Sequence, residues 1–157
     1  MSDLLALRYA EGAADMDTVR TLFREYQAGL GVSLCFQDFE TELAGLPGKY
    51  ADPSGCLLLA EADGKAAGTV ALRDLGDGIC EMKRLYVRPA ARGLGLGRRL
   101  AASVVDEARK RGYRAMRLDT LPQLKAAIGL YASMGFAEIG NYCDNPIPGA
   151  RFFELAL

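Results

Sequence analysis

Gly93, Gly95 and Gly97 stand at alternate positions in Arg92-Gly93-Leu94-Gly95-Leu96-Gly97-Arg98-Arg99. Without Cβ atoms in the way, the backbone N–H groups of such a run can crowd round a ligand. Cys80 to Val87 reads as a strand ending at Arg88-Pro89, and beyond the glycines Leu96, Leu100, Val104 and Ala108 recur every four residues, one face of a helix. The glycines therefore fall at a helix N-terminus, where the dipole favours negative charge. Arg92, Arg98 and Arg99 add positive charge beside the turn. The chemistry this predicts is a cradle for a pyrophosphate. A phosphate loop of the GxxxxGK[ST] type needs a lysine after its last glycine, where Arg98 stands. The dinucleotide fingerprint GxGxxG fails at Arg98 or Leu100, depending on which glycine opens it. Asp119 stands about 20 residues on, where that fingerprint keeps its ribose-binding acid, but without the glycines the position carries no weight.

Leu85-Tyr86-Val87-Arg88-Pro89 followed by Arg92 to Gly97 resembles the acetyl-CoA motif of the GNAT superfamily of N-acetyltransferases, (Arg/Gln)-x-x-Gly-x-(Gly/Ala). A second stretch, Ala126-Ala127-Ile128-Gly129-Leu130-Tyr131-Ala132-Ser133-Met134-Gly135-Phe136, resembles the family's downstream helix, which commonly ends Leu-Tyr-x-x-x-Gly-Phe. With the strand before them the two motifs cover residues 80–136, in the family's order and spacing. The resemblance implies acetyl-CoA as cofactor, held by Leu85, Tyr86, Val87, Arg92, Gly93, Leu94, Gly95, Leu96, Gly97 and Arg98. The backbone of Leu85 and Val87 would pair with the pantetheine amides as a strand edge pairs with any extended chain. Splaying of that strand from the one ending at Asp119 would open the edge. Leu124 departs from the pattern, standing where many members carry a cofactor-contacting asparagine. Lys125 offers charge to a phosphate or is a solvated helix lysine.

An amine that attacks a thioester must lose a proton, since its pKa is near ~10, and the departing thiolate of pKa about 8.5 benefits from gaining one. The chain has no histidine, so Ser-His-Asp and Cys-His systems and His-ligated metals are excluded. Glu81 matches the glutamate that is general base in the histone-acetylating branch. It also shares a strand face with Lys83, so a cross-charge pair is the alternative, and a bulge in the strand would change the parity. Tyr131 matches the tyrosine that protonates the CoA sulfur; the alternative is a core tyrosine beside Leu124 and Ala127. Cys80 is a poor nucleophile candidate, because direct transfer needs no acyl-enzyme and a buried strand cysteine is commonly inert.

These residues need a frame. Leu4 to Ala10 reads as a strand; Asp15 or Asp17 caps a helix with Val19, Leu22, Phe23 and Tyr26 on one face, broken by Gly29 and Gly31. A second helix runs from Gln37 to Leu46 and stops at Pro47-Gly48. Cys56 to Ala62 and Ala66 to Arg73 are strands joined by Asp63-Gly64, a hairpin signal, and Asp77-Gly78 turns into the strand of Glu81. Arg109-Lys110-Arg111-Gly112 ends the motif helix. Ala115 to Asp119 is a strand, Gln123 to Met134 a helix, and Phe136 to Tyr142 and Arg151 to Leu157 are strands. The expected fold is α/β (α+β) in the order β-α-α-β-β-β-α-β-α-β-β, the order of the GNAT fold: a mixed, mostly antiparallel sheet flanked by helices, in a single domain over residues 1–157.

Composition agrees. The chain of 157 residues is half hydrophobic and a quarter charged, as in an ordinary globular protein. A net charge of -1 argues against a general nucleic-acid binder. No apolar run spans a bilayer, and Met1-Ser2-Asp3 shows no basic signal region, so a cytoplasmic location is expected, with Cys35, Cys56, Cys80 and Cys143 as reduced thiols. In the family, the first helices and the late loop build the acceptor site, here about Gln27 to Phe39 and Tyr142 to Arg151. Tyr142, Asp144 and Asn145 are the substrate candidates. Asp38, Glu40 and Glu42 either suit a cationic amine or form a solvated acidic helix start. The leading function is acetyl transfer to a primary amine of a small molecule. A protein or peptide acetyltransferase and a non-catalytic CoA sensor are the alternatives, and a homodimer is left open.

Overall fold

The computed structural model describes residues 4–34 and 38–157. Cys35 and the expected helix start at Gln37 lie outside the described residues. The elements are β1 (Leu5–Tyr9), α1 (Gly12–Leu30), α2 (Phe39–Ala44), β2 (Cys56–Ala62), β3 (Lys65–Gly76), β4 (Ile79–Val87), α3 (Leu96–Lys110), β5 (Ala115–Thr120), α4 (Lys125–Ser133), β6 (Ala137–Ile139) and β7 (Arg151–Ala156), with 3-10 turns at Gly48–Tyr50 and Pro89–Ala91. The described strands form one seven-stranded sheet in the order β1-β2-β3-β4-β5-β7-β6. Only β4 and β5 run parallel. The expected element order and mixed, mostly antiparallel sheet are what the chain adopts.

Helices cover both faces. Cys56, Leu58 and Ala60 of β2 face α3, with Leu100, Val104 and Ala108, while Leu57 and Leu59 face α1, with Val19, Leu22 and Phe23. A strand covered on both sides has no solvent face, so β2 is an unbroken apolar run rather than an alternation. The two hairpins form where the sequence marks them. Asp63-Gly64 and Asp77-Gly78 both take positive φ at both positions, as a two-residue type I′ turn demands.

Some boundaries differ from expectation for identifiable reasons. Asp15 and Asp17 are not caps, because α1 begins at Gly12. Asp15 instead accepts from Arg8 Nη1 (2.6 Å) and the Glu11 N–H (2.8 Å). Gly29 stays helical, and α1 ends at Gly31 in the left-handed region. β6 stops at Ile139, short of Tyr142, because it pairs only with the outer edge of β7.

The feature that matters most lies in β4. Thr69 pairs with Tyr86 and Ala71 with Lys83, so β4 has one residue more than β3 across this step. The extra residue is a bulge at Arg84, whose φ is +62°. It breaks the alternation. Cys80 and Met82, then Leu85 and Val87, pack toward α3, whereas Lys83 and Arg84 follow one another toward α1 and α2. Beside it, β4 and β5 are paired only at Ile79–Ala115, Cys80–Met116 and Glu81–Arg117. Beyond Glu81 the two strands part.

Candidate active site

The gap between the parted strands is a cavity of about 540 Å³. Leu85, Tyr86 and Val87 of β4 form one wall, Leu118 to Leu121 the other, and the glycine turn closes one end. Gly93 and Gly95 hold φ of +87° and +77°, and a Cβ at either would meet nothing within 4 Å. The first backbone donor satisfied inside α3 is Arg99, bonded to the Gly95 carbonyl at 3.1 Å. The N–H groups of Gly93 to Arg98 have no acceptor among the described residues. Consecutive orphan donors at a helix start, with open space before them, fit a pyrophosphate.

The arginines are arranged less uniformly than their spacing suggests. Arg92 lines the cavity and folds back so that its Nε donates to the Val87 carbonyl at 3.2 Å. Arg98 reaches across to the Ser133 hydroxyl at 2.9 Å, tying α3 to α4, and neither it nor the half-exposed Leu94 lines the cavity. Leu124 and Lys125 both line it.

Tyr131 is buried on α4, against Phe136 and Phe153, and lines the same cavity. Its hydroxyl makes no hydrogen bond with a described residue. Burial raises its pKa above the ordinary tyrosine value, so the proton stays on through neutral pH.

A second cavity, of about 310 Å³, lies on the α2 side and is lined by Glu81, Arg73, Tyr142 and Asp144. The two cavities share Lys83 and Arg84, the two residues that the bulge places in succession on this face. Glu81 is 3% exposed and accepts from the Tyr142 hydroxyl at 2.7 Å. Tyr142 reaches it because β6 ends early. Burial, then the adjacent Glu81 carboxylate, raise the Tyr142 pKa, so it too remains a donor. Lys83 Nζ lies 3.9 Å from Glu81 and 3.6 Å from Asp119. Asn145 donates to Asp119 at 3.0 Å, whereas Asp144 is exposed at the cavity wall.

Asp119 thus enters the site through Lys83 and Asn145, although the sequence offered it only as a ribose-binding acid. Parity could have found it: Arg117 and Asp119 share a face of β5, and Arg117 lies beside Glu81. The acidic second helix is not an open cation trap. Arg84 grips Glu42 with two bonds of 3.0 Å, and Glu40 pairs with Arg24 at 3.3 Å. Cys80 is fully buried, and burial pushes its thiol up to about 12, which removes the thiolate a nucleophile needs.

A model of the acetyltransferase (GNAT) family matches residues 17–136. The chain belongs to the GNAT family. It is 43% identical over 145 residues to an uncharacterized N-acetyltransferase of Schizosaccharomyces pombe, covering 91% of this chain and 89% of that one. A GNAT acetyltransferase from Staphylococcus aureus Mu50 superposes with a TM-score of 0.81 at 18% identity, over 98% of this chain and 99% of that one. An acetyltransferase from Salmonella typhimurium, solved with its cofactor acetyl-CoA, superposes with a TM-score of 0.73 at 24% identity, over 98% and 94% of the two chains. The chain is an acetyl-CoA-dependent N-acetyltransferase. No helix of the described residues is long and apolar enough to cross a membrane.

Proposed function

We propose that this GNAT enzyme acetylates the primary amine of a small molecule, with Glu81 as general base and Tyr131 as general acid. The adjacency of the two cavities, which share Lys83 and Arg84, carries this: a donor side with an uncommitted tyrosine hydroxyl lies next to an acceptor side with a buried carboxylate. At about 310 Å³ the acceptor cavity falls at the small end of ordinary ligand pockets.

Acetyl-CoA, when bound, supplies the acetyl group as a thioester. The N–H groups of Gly93 to Arg98 hold its pyrophosphate, and Leu85 and Val87 offer backbone to the pantetheine. Glu81 takes the proton of the acceptor ammonium, directly or through water, and Tyr142 keeps the carboxylate oriented. The freed amine nitrogen bonds to the thioester carbonyl carbon; as the carbon–sulfur bond breaks Tyr131 would give its proton to the departing sulfur, and the proton lost by the new amide nitrogen would restore the tyrosine. No acyl-enzyme is needed, in keeping with the protonated, buried Cys80.

Release of free CoA, followed across a panel of small amines, peptides and proteins, tests the acceptor class. Small amines are expected to be turned over and peptide amines not; the reverse pattern overturns the assignment. On one good amine, Tyr131→Phe is expected to lower kcat by about tenfold or more while leaving acetyl-CoA affinity nearly unchanged. The proton matters only as sulfur leaves, and a thiolate of pKa about 8.5 leaves fairly well unaided. Wild-type kcat in Tyr131→Phe would remove the tyrosine from the chemistry.

A further inference from the structure

The acceptor cavity holds a guanidinium whose hydrogen-bond donors the protein does not satisfy. Among the cations lining it, Arg84 is held by Glu42 through two bonds of 3.0 Å, Arg117 by Glu154 at 2.7 Å, and Lys83 lies between Glu81 and Asp119. Arg73 is held only loosely, by an ion pair without a hydrogen bond. Its nearest carboxylate oxygen is on Glu81, 3.7 Å away, beyond hydrogen-bond range. None of its N–H groups bonds to a described residue, and its Nε is closed off from solvent without an acceptor. The side chain is nonetheless 28% exposed and lines the cavity. Lys49, exposed, also lines the cavity and makes no ion pair or hydrogen bond with a described residue.

An occluded guanidinium donor without an acceptor is costly, and a planar two-oxygen anion is the group its fork matches. We infer that the acceptor is an amine bearing a carboxylate, of the α-amino acid type, with Arg73 as the anchor of the carboxylate and Lys49 flanking it. This rests on the small-molecule assignment above. The spacing sets the type. Arg73 and Glu81 are direct cross-strand partners of β3 and β4, so a carboxylate on Arg73 and an amine at Glu81 must be close neighbours on one small frame. A dianion such as a phosphate monoester is disfavoured by the acids on the same walls, Glu81 and Asp144. Those acids suit the ammonium end of a zwitterion.

The test compares each of several α-amino acids with its carboxamide and with its decarboxylated amine, by free CoA release. The amino acid is expected to exceed both by at least about tenfold in kcat/KM, since a site built to bond a group rejects the analogue lacking it. In Arg73→Gln that ratio should collapse toward one, chiefly through KM. Arg73→Lys, which keeps charge but not the fork, should restore it in part, and Lys49→Gln should lower it by a smaller factor. A wild-type ratio near one overturns the inference, and so does a ratio untouched in a folded Arg73→Gln. The wild-type ratio decides even where a variant fails to fold. Equal turnover of carboxylate-free small amines leaves the small-molecule assignment standing; turnover of peptide amines alone overturns both.

Discussion

Glu81→Gln is expected to lower the acetylation rate by about 10²- to 10⁴-fold near neutral pH, the usual range for a general base. The substitution keeps the side chain's shape and its ability to accept from the Tyr142 hydroxyl, so what is lost is basicity. Raising the pH should recover part of the loss. The acceptor amine, with a pKa near ~10, then sheds its own proton and needs the carboxylate less. The sign discriminates: a structural defect would leave the deficit constant across the profile, whereas a lost base makes it shrink as pH rises. The measurement is a pH–rate profile of wild type and variant on one good amine. Wild-type rates throughout would reduce Glu81 to a charge partner of Lys83 and Arg73, and water or Asp119 would be the base.

Gly95→Asp is expected to abolish useful acetyl-CoA binding, weakening it by at least about 100-fold, since bonds to a charged group are each worth about 1.5–3 kcal/mol and several fail together. Gly95 is the N-cap of α3 with φ +77°. Aspartate tolerates the left-handed region better than most residues, and its carboxylate can itself accept from the orphan N–H groups of α3. The strain of about 1–2 kcal/mol is therefore partly offset by capping of about 1 kcal/mol. The protein should fold with a melting temperature near wild type. The cradle, however, is then filled by the protein's own anion, and acetyl-CoA should no longer raise the melting temperature as it does by binding the native state. Calorimetry showing undiminished affinity would move the pyrophosphate elsewhere.

What the sequence disclosed was local. The glycine turn, the four-residue apolar repeat of α3 and the two Asp-Gly hairpins are each written within a few residues, so the element order followed from them. The register of β4 is not written that way. Nothing in Lys83-Arg84-Leu85 marks a bulge, since no glycine or asparagine supplies the positive φ that Arg84 adopts. A further irregularity, at Leu75 between Asp74 and Gly76, shifts the pairing of β3 and β4. Counting back from the Asp77-Gly78 turn would set Asp74 opposite Glu81; the shift sets Arg73 there, so a guanidinium faces the carboxylate. Tyr142 escaped as a partner of Glu81 because the length of β6 is decided by how far β7 extends beside it, a tertiary matter.

The bulge at Arg84 also bears on how this protein can change over generations. Glu81 on the acceptor side and Leu85 on the donor side are separated by a number of residues whose parity decides which face each one meets. Exchanging a side chain between them alters a contact. Deleting Arg84 itself, however, would turn neither half over: it removes the residue by which β4 exceeds β3, so that Met82, Lys83 and Leu85 alternate regularly and keep their faces, while the ion pair with Glu42 is lost. A variant lacking Arg84 is expected to bind acetyl-CoA, since Leu85 and Val87 keep their face, and to be less active on the acceptor side, where the Glu42 ion pair is gone; calorimetry and free CoA release separate the two.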